Sequence, residues 1–478
     1  MPSTKPTNMI KPSDAVSWIS CTRRVWLDNR NTFSFIPIKD EFGQLLIQFG
    51  LDHEKAVLDK LRIKFDVYTA TSVEGTKQLM SEGVEVIYQA QLQDDANGIV
   101  GYPDFLIRQD NGEYQAADAK LSLHPEKKEI QIQLGLYRKL LGNGLPAIAY
   151  LGDGSQSEVT DKAEPSVDLF INDMNKVLAL EVQPFVRYGH SKCKPCPYYE
   201  HCIPIFTAKE ELSLLYGIQG LAADGLESVG IQTISDLSNA QADNIPDIPY
   251  LKGFDKKNKA ILQAKSWQTG EIFQTGQILL PEGTWIHFDI ENNPLTPNGK
   301  SHVYLWGFLL PEYSNQNFEY VWTNHQSEDK EGWLTFINKI DLYRLRYPDL
   351  ILAHYSKHEH STIRHYADRY HMEDNEIVQW LLGEESPLFD IQQSVKNNLV
   401  LPLKGYGLKD ICKHKDLVNF QWGDSDSGSQ WSVVQFNNFL NEKNSISKEK
   451  LKKEILGYNR DDVMATYRLE RWLRALEL

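Results

Sequence analysis

The sequence predicts two α/β domains joined by a helical segment, with boundaries near 207/208 and 275/276. Three observations carry this reading. The stretch Gly101 to Tyr137 reads as a β-hairpin followed by an amphipathic helix. Residues 208–275 alternate short helical pieces with Gly217, Gly220, Gly225 and Gly230. From about residue 276 a second alternation begins, with TWIHFDIENN as its first strand. A length of 478 residues suits two or three domains, and 41% hydrophobic residues can build their cores.

Charge and termini narrow the function classes. The net charge of −15 argues against a protein that coats nucleic acid through a broad basic field, so contacts to such a partner would need local basic patches. The first residues, MPSTKPTNMIKPSDAV, lack a basic segment followed by an apolar core, and no run reaches the roughly 18 apolar residues of a membrane span. The expectation is a cytoplasmic protein without a membrane partner.

Taken in order, a helix is expected between Glu41 and Lys64, where Leu46, Gly50, His53, Val57 and Leu61 share one face. His53 on that stripe fits a core histidine, the more usual role of a lone histidine on an apolar face, and imidazole would also suit a Mn2+ site. The run VEVIYQAQL alternates as a strand. Tyr102 to Arg108 and Glu113 to Lys120 then form the hairpin around Asp110-Asn111-Gly112. Alternation along a strand puts Asp118 and Lys120 on one face, and Asp104 can meet them from the neighbouring strand. Two carboxylates can hold Mg2+ or Mn2+, while the lysine steadies a nucleophile or developing charge. A surface hairpin with an ion pair would show the same short pattern. The next helix, about Lys127 to Leu141, carries Gln133 and Tyr137 one turn apart, placed to orient substrate or water.

Cysteine placement is uneven. Cys193, Cys196 and Cys202 form C-x2-C-x5-C, Cys21 stands far upstream, and Cys412 reads as a buried residue. Four thiolates suit an iron–sulfur cluster or zinc if the fold brings Cys21 to the other three.

In their order, His53, the GYPDF around Asp104, Asp118-Ala-Lys120 and Gln133-x-x-x-Tyr137 resemble the RecB-type branch of the PD-(D/E)XK nucleases. One early cysteine, in CTRRVWL, and three late ones resemble its iron–sulfur subgroup, which includes AddB-type recombination nucleases and a CRISPR-associated family. The resemblance covers about residues 10 to 207. It implies a restriction-endonuclease-like core and metal binding by His53, Asp104 and Asp118. It also implies a 4Fe-4S cluster on Cys21, Cys193, Cys196 and Cys202 that clamps the ends of the domain. Asp118 stands where many relatives carry glutamate.

The stretch LLYGIQGLAADGLESVGIQTISDLSNA resembles helix-hairpin-helix modules, whose glycines let backbone N–H groups approach a phosphate. A plain helical linker fits it as well. In the last domain Asp289 and Glu291 project from one strand face, while HVYLWGFLL, NFEYVWT and PDLILAHYS read as further strands. A helix is expected around Glu331 to Tyr343, the next helix carries Glu359, and the last carries Tyr458 and Asp462 four apart on one face. Four acids packed together would repel unless they shared metal, and two ions could serve the attacking and leaving oxygens of a phosphodiester. Tyr458 would then position the attacking water.

HFDIEN, AHYSKHE and GYNRDDVMAT are similar to the three motifs of DEDDy-type 3'-5' exonucleases in the RNase H-like, DnaQ-type superfamily. This resemblance spans about residues 281 to 478 and implies metal binding by Asp289, Glu291, Glu359 and Asp462. Asp462 is preferred to Asp461 for its spacing from Tyr458 and for preceding Val463. Glu359 stands where most members have aspartate. The run LFDIQQSVKNNLVLPLKGYGLKDI, with Pro402 and Lys409, also resembles the insert of a bacterial group that fuses a RecB-like nuclease to this exonuclease half.

The expected protein is therefore a metal-dependent deoxyribonuclease that processes DNA ends, preferring single strands. Its expected partners are DNA and, because no G-x-x-x-x-G-K-[ST] loop is present, a separate helicase. A second reading is processing of CRISPR spacer precursors, with CRISPR integration proteins as partners. A third is a DNA-binding clamp with one or both sites inactive, and the same motifs also admit RNA as the substrate.

Overall fold

The computed structural model describes residues 9–30, 41–296, 299–311, 317–423 and 428–476. The chain is mixed α/β and divides into two compact units, residues 1–186 with Gly299, and residues 187–296 with 300–478.

The first unit opens with α1 (Asp14–Ser20), α2 (Thr22–Asp28) and α3 (Glu41–Arg62), then β1 (Val67–Thr69), α4 (Val73–Glu82) and β2 (Val86–Tyr88). Local chemistry marks these bounds. The Ser72 side chain accepts from Gly75 N at the start of α4, and Gly83, with φ +71°, closes it in a left-handed cap. The expected strand VEVIYQAQL is cut in two by Gln89, which has φ +56°; it continues as β3 (Leu92–Asp94), paired with β4 (Ile99–Gly101). The hairpin strands are β5 (Phe105–Arg108) and β6 (Tyr114–Lys120), and Gly112, with φ +83°, makes their turn. Next come α5 (Lys128–Leu141), β7 (Ala147–Leu151), β8 (Gln156–Val159) and α6 (Glu164–Ala179).

Among the described residues the sheet order is β1-β2-β5-β6-β7-β8, with β2, β5 and β6 antiparallel and β7 parallel to β6. The parallel step needs a crossover, which α5 supplies. Its apolar side, Ile130, Leu134 and Tyr137, covers Leu106, Ala116 and Ala149. The opposite face is covered by Val57, Leu58 and Leu61 of α3, lying against Phe105, Ala117 and Ile148. The Asp118 region is thus held between two helices. A Cβ on Gly101 would lie 2.7 Å from Leu140 and 3.0 Å from Tyr137, so this glycine permits the close approach of α5.

The second unit begins with α7 (His190–Cys193), α8 (Tyr199–Ala208), α9 (Leu221–Ser228), α10 (Ile234–Ser238) and α11 (Phe254–Thr269). Arg187 gathers Glu211, Asp224 and Glu227 at 2.6–2.7 Å and so joins α9 to the segment that follows α8. Strand β9 (Phe273–Gln274) leads to β10 (Thr284–Asn293), β11 (His302–Leu309) and β12 (Phe318–Trp322). Then follow α12 (Asp329–Arg346), β13 (Leu350–His354), α13 (His358–Arg369), α14 (Glu376–Leu382), β14 (Leu388–Asp390), α15 (Ile391–Asn398) and β15 (Leu399–Val400). The unit ends with α16 (Leu408–Cys412), α17 (Ser429–Asn441) and α18 (Ser445–Ala475).

The main sheet runs β12-β11-β10-β13-β14, antiparallel across the first three strands and parallel from β10 through β13 to β14. One face is closed by an aromatic core in which Trp306 stacks on Phe336 at 4.0 Å and meets Tyr366 edge-on at 5.8 Å. Each such pair contributes about 0.5–1.5 kcal/mol beyond burial. The other face receives α18, whose N-terminus is capped by Asn444 accepting from Ile446 N and Ser447 N. The segment after β15 is fastened to α11 by Gln263 Nε2 donating to the Leu401 carbonyl at 2.6 Å, and Tyr406 stacks on Tyr216 at 4.0 Å.

Candidate active site

Strand alternation places Asp289 and Glu291 on the β10 face that α18 covers, and the four-residue step along α18 stacks Tyr458 beneath Asp462. One oxygen from each of Asp289, Glu291 and Asp462 lies within 4.8 Å of the others. Each carboxylate has a neutral donor. Asn459 Nδ2 donates to Asp289 Oδ2 at 2.8 Å, Ser432 Oγ to Glu291 Oε2 at 2.5 Å, and Trp422 Nε1 to Asp462 Oδ1 at 2.6 Å. Tyr458 stands one turn before Asp462 on α18 and packs 5.4 Å from the Trp431 ring.

Burial and mutual repulsion set the charge state of this group. Burial, then Glu291, Asp462 and Glu359, push the Asp289 carboxyl well above its usual range. Burial and Asp462 raise Glu291 to about 8, and burial raises Asp462 to about 6 against the opposing pull of Lys409 and Trp422. The Tyr458 phenol is pushed far upward by burial and the same acids, so it stays a protonated donor. A cluster of this kind binds protons readily and would release them to a divalent cation held by oxygen ligands. The donor set therefore fits Mg2+ or Mn2+.

Glu359 is buried at the start of α13 but stands outside that three-oxygen set. Its Oε2 lies 3.2 Å from His354 Nδ1, which also lies 2.7 Å from the Ser356 carbonyl. Ser356 itself has φ +110°, a strained conformation at the β13–α13 turn.

Residues 286–474 match the RNase_H_2 family of the RNase_H superfamily. The C-terminal part of the chain is RNase H-like, and this fold generally carries metal-dependent nuclease chemistry. The matched span contains Asp289, Glu291, Glu359, Tyr458 and Asp462. Among solved structures, the crystal structure of SSO0001 aligns at 16% identity over 42% of this chain and 88% of that chain, with a TM-score of 0.22. No curated protein matches the chain.

Sequence reasoning missed the three donors of the RNase H-like site. Asn459 had a readable signal in Gly307, since glycine inside a strand marks a close approach. A Cβ there would fall 1.7 Å from Asn459 Oδ1, in the space the amide needs to reach Asp289. Gly307→Ala is expected to destabilise the protein by about 1–3 kcal/mol and to weaken Mn2+ binding by about 10- to 100-fold. Thermal unfolding and titration calorimetry check the two effects, and unchanged Mn2+ affinity would separate Asn459 from the site.

In the first unit, Asp104, Asp118, Lys120, Gln133 and Tyr137 form one hydrogen-bonded group. Lys120 Nζ lies 2.8 Å from Asp118 Oδ2 and 2.9 Å from Gln133 Oε1, and Gln133 Nε2 lies 3.2 Å from Asp118 Oδ2. Asp118 Oδ1 accepts from Asp104 N, while Asp104 Oδ2 accepts from Ala119 N, both at 2.8 Å. Tyr137 donates to the Tyr102 carbonyl at 3.0 Å. Burial, then Asp118 and Glu54, raise the Asp104 carboxyl to about 8. Glu54, which sequence reading did not single out, accepts from Tyr88 and from the Gln89 side chain at 2.8 and 2.7 Å. His53 is not gathered with Asp104 and Asp118 into a three-ligand set among the described residues; its Nε2 lies 2.9 Å from the Tyr150 carbonyl.

Cys193 ends α7 and its Sγ accepts from Gly189 N at 3.4 Å; Cys196 lies in the following turn, and Cys202 lies within α8. Cys21 joins α1 to α2 in the first unit, and Cys412 is buried in α16. No helix among the described residues is long and apolar enough to cross a membrane.

Proposed function

We propose that the chain is a metal-dependent deoxyribonuclease that processes DNA ends, with single-stranded DNA as the preferred substrate. The observation that carries this reading is the convergence of Asp289, Glu291 and Asp462 within 4.8 Å beside the protonated phenol of Tyr458, inside the RNase H-like span. In this reading the C-terminal site is of the DEDDy type and acts from the 3' end. Mg2+ or Mn2+, when bound, supplies positive charge to the attacking and leaving oxygens. Asp289, Glu291 and Asp462 hold the ion, Asn459, Ser432 and Trp422 fix their orientation, and the Tyr458 O–H positions the attacking water. Glu359 serves as the fourth acid after leaving His354.

Residues 1–207 form the second nuclease site in this proposal, a RecB-like PD-(D/E)XK domain. Its support is the helix, three antiparallel strands, helix and parallel strand seen in α3, β2, β5, β6, α5 and β7, with Asp104, Asp118 and Lys120 at the centre. His53 is the further ligand. Cys21, Cys193, Cys196 and Cys202 hold a 4Fe-4S cluster, and residues 208–275 contact the DNA backbone. A helicase or CRISPR integration proteins are the protein partners that fit this chemistry, in the cytoplasm.

The deciding experiment compares wild type, Asp118→Ala and Asp289→Ala, prepared anaerobically, on 5'- and 3'-labelled single-stranded DNA with Mn2+. Each substitution should remove a different set of products. Loss with Asp118→Ala alone would make the RNase H-like half a binding domain, and a wild type that cuts only RNA would move the substrate class.

A further inference from the structure

Beside the three acids stands a cation that their role as metal ligands does not account for. Lys409, on α16, places its Nζ 4.6 Å from the centre of the Tyr458 ring and 5.3 Å from that of Trp422. Trp422 is the residue whose indole N–H holds Asp462, and Tyr458 stands one turn before that acid on α18. Lys409 thus lies over two rings, one of which holds the metal-binding acid. Its charge reaches two of the three acids, lowering Glu291 and Asp462. Lys413, one turn later, lies 5.5 Å from the Trp422 ring as well. Lys409 is only partly buried.

Neutralising three buried acids does not require a lysine if a divalent ion is bound there, whereas a nucleic-acid strand brings a new negative charge at each phosphate. A compact, flexible ammonium is suited to meet such a phosphate as a point charge. The ring faces beneath it restrain the stem and lower the entropy lost on contact. We propose that Lys409 is a phosphate-contacting residue of the RNase H-like site, binding the backbone of a single nucleic-acid strand next to the bond to be cut. This assignment rests on the nuclease reading of that site.

The test uses the full chain carrying Asp118→Asn as parent, so that the first unit does not cleave. Binding of a fluorescein-labelled oligodeoxythymidine is followed by anisotropy with Ca2+ over a series of KCl concentrations. Each phosphate neutralised on a single strand contributes about 0.7 to the slope of log K against log salt. Lys409→Met should lower the slope by about that amount and reduce kcat/KM with Mn2+ by about 10- to 100-fold; Lys409→Arg should restore the slope. Lys415→Met, whose side chain is 83% exposed, should leave both unchanged. A purely structural lysine would alter thermal unfolding and spare the slope, which would overturn the proposal. So would equal slope losses in the Lys409 and Lys415 variants, or a parent that does not bind the strand. A parent that shows the Lys409-dependent slope yet no Asp289-dependent cleavage supports the phosphate contact and unseats the nuclease reading instead.

Discussion

Asp462→Asn is expected to slow nucleotide release from a 3' end by about 1,000-fold. The stabilisation that a bound metal gives a phosphoryl transition state is several kcal/mol, and about 4 kcal/mol corresponds to that factor. Asp462 is central because it shares the oxygen cluster with Asp289 and Glu291, accepts from the Trp422 indole, and follows Tyr458 by one turn of α18. The amide keeps an oxygen for Trp422 and has nearly the volume of the acid, so the fold should survive while the charge is lost. Single-turnover release of a 3'-labelled nucleotide with Mn2+, on protein whose thermal unfolding matches wild type, reads the effect. Activity within tenfold of wild type would remove Asp462 from the chemistry. Glu359→Gln should cost less, about tenfold, because that acid faces His354 and stands outside the three-oxygen set.

The strand TWIHFDIENN was legible to the residue, because a long alternating run of β-branched and aromatic residues has one stable pairing register. The hairpin at Asp110-Asn111-Gly112 and the pairing of Tyr458 with Asp462 were legible for equally local reasons. Where long-range packing decides, the sequence was silent. Nothing near Asp462 in the chain announces Trp422, forty residues away, and Ser432 reaches Glu291 across 141 residues. Gln89 shows another limit: a left-handed residue without glycine interrupts VEVIYQAQL, and only the tertiary setting of β2 beside β5 imposes it. Glu359 was visible as a departure, but its contact with His354 and the positive φ of Ser356 between them are not signalled by any residue type.

The same buried acids dictate how stability responds to pH. Without a divalent ion, the RNase H-like half should lose stability as pH rises from about 5 to about 8, the window set by the raised carboxyls. Glu291 is raised from 4.5 to about 8, Asp462 from 3.8 to about 6, and Asp289 well above 3.8. A carboxyl whose pKa is higher folded than unfolded binds protons more tightly in the native state. Below its unfolded pKa both states are protonated and the group is neutral in effect; above it the unfolded chain ionises first, so the free energy of unfolding falls until the folded pKa is passed. The loss summed over the coupled acids is on the order of a few kcal/mol, which corresponds to roughly 5–10 °C in Tm. Scanning calorimetry in EDTA at pH 5 and pH 8 should show this drop, and Mn2+ should reverse it at pH 8 by replacing repulsion with ligation. Asp289→Asn identifies the transition: it should raise the metal-free Tm at pH 8 and shrink the Mn2+ increment, because one repelling charge and one ligand go together. A metal-free transition that does not move between pH 5 and pH 8, or one that Asp289→Asn leaves in place, would mean that fixed cations of the chain relieve the three acids and that they need no metal.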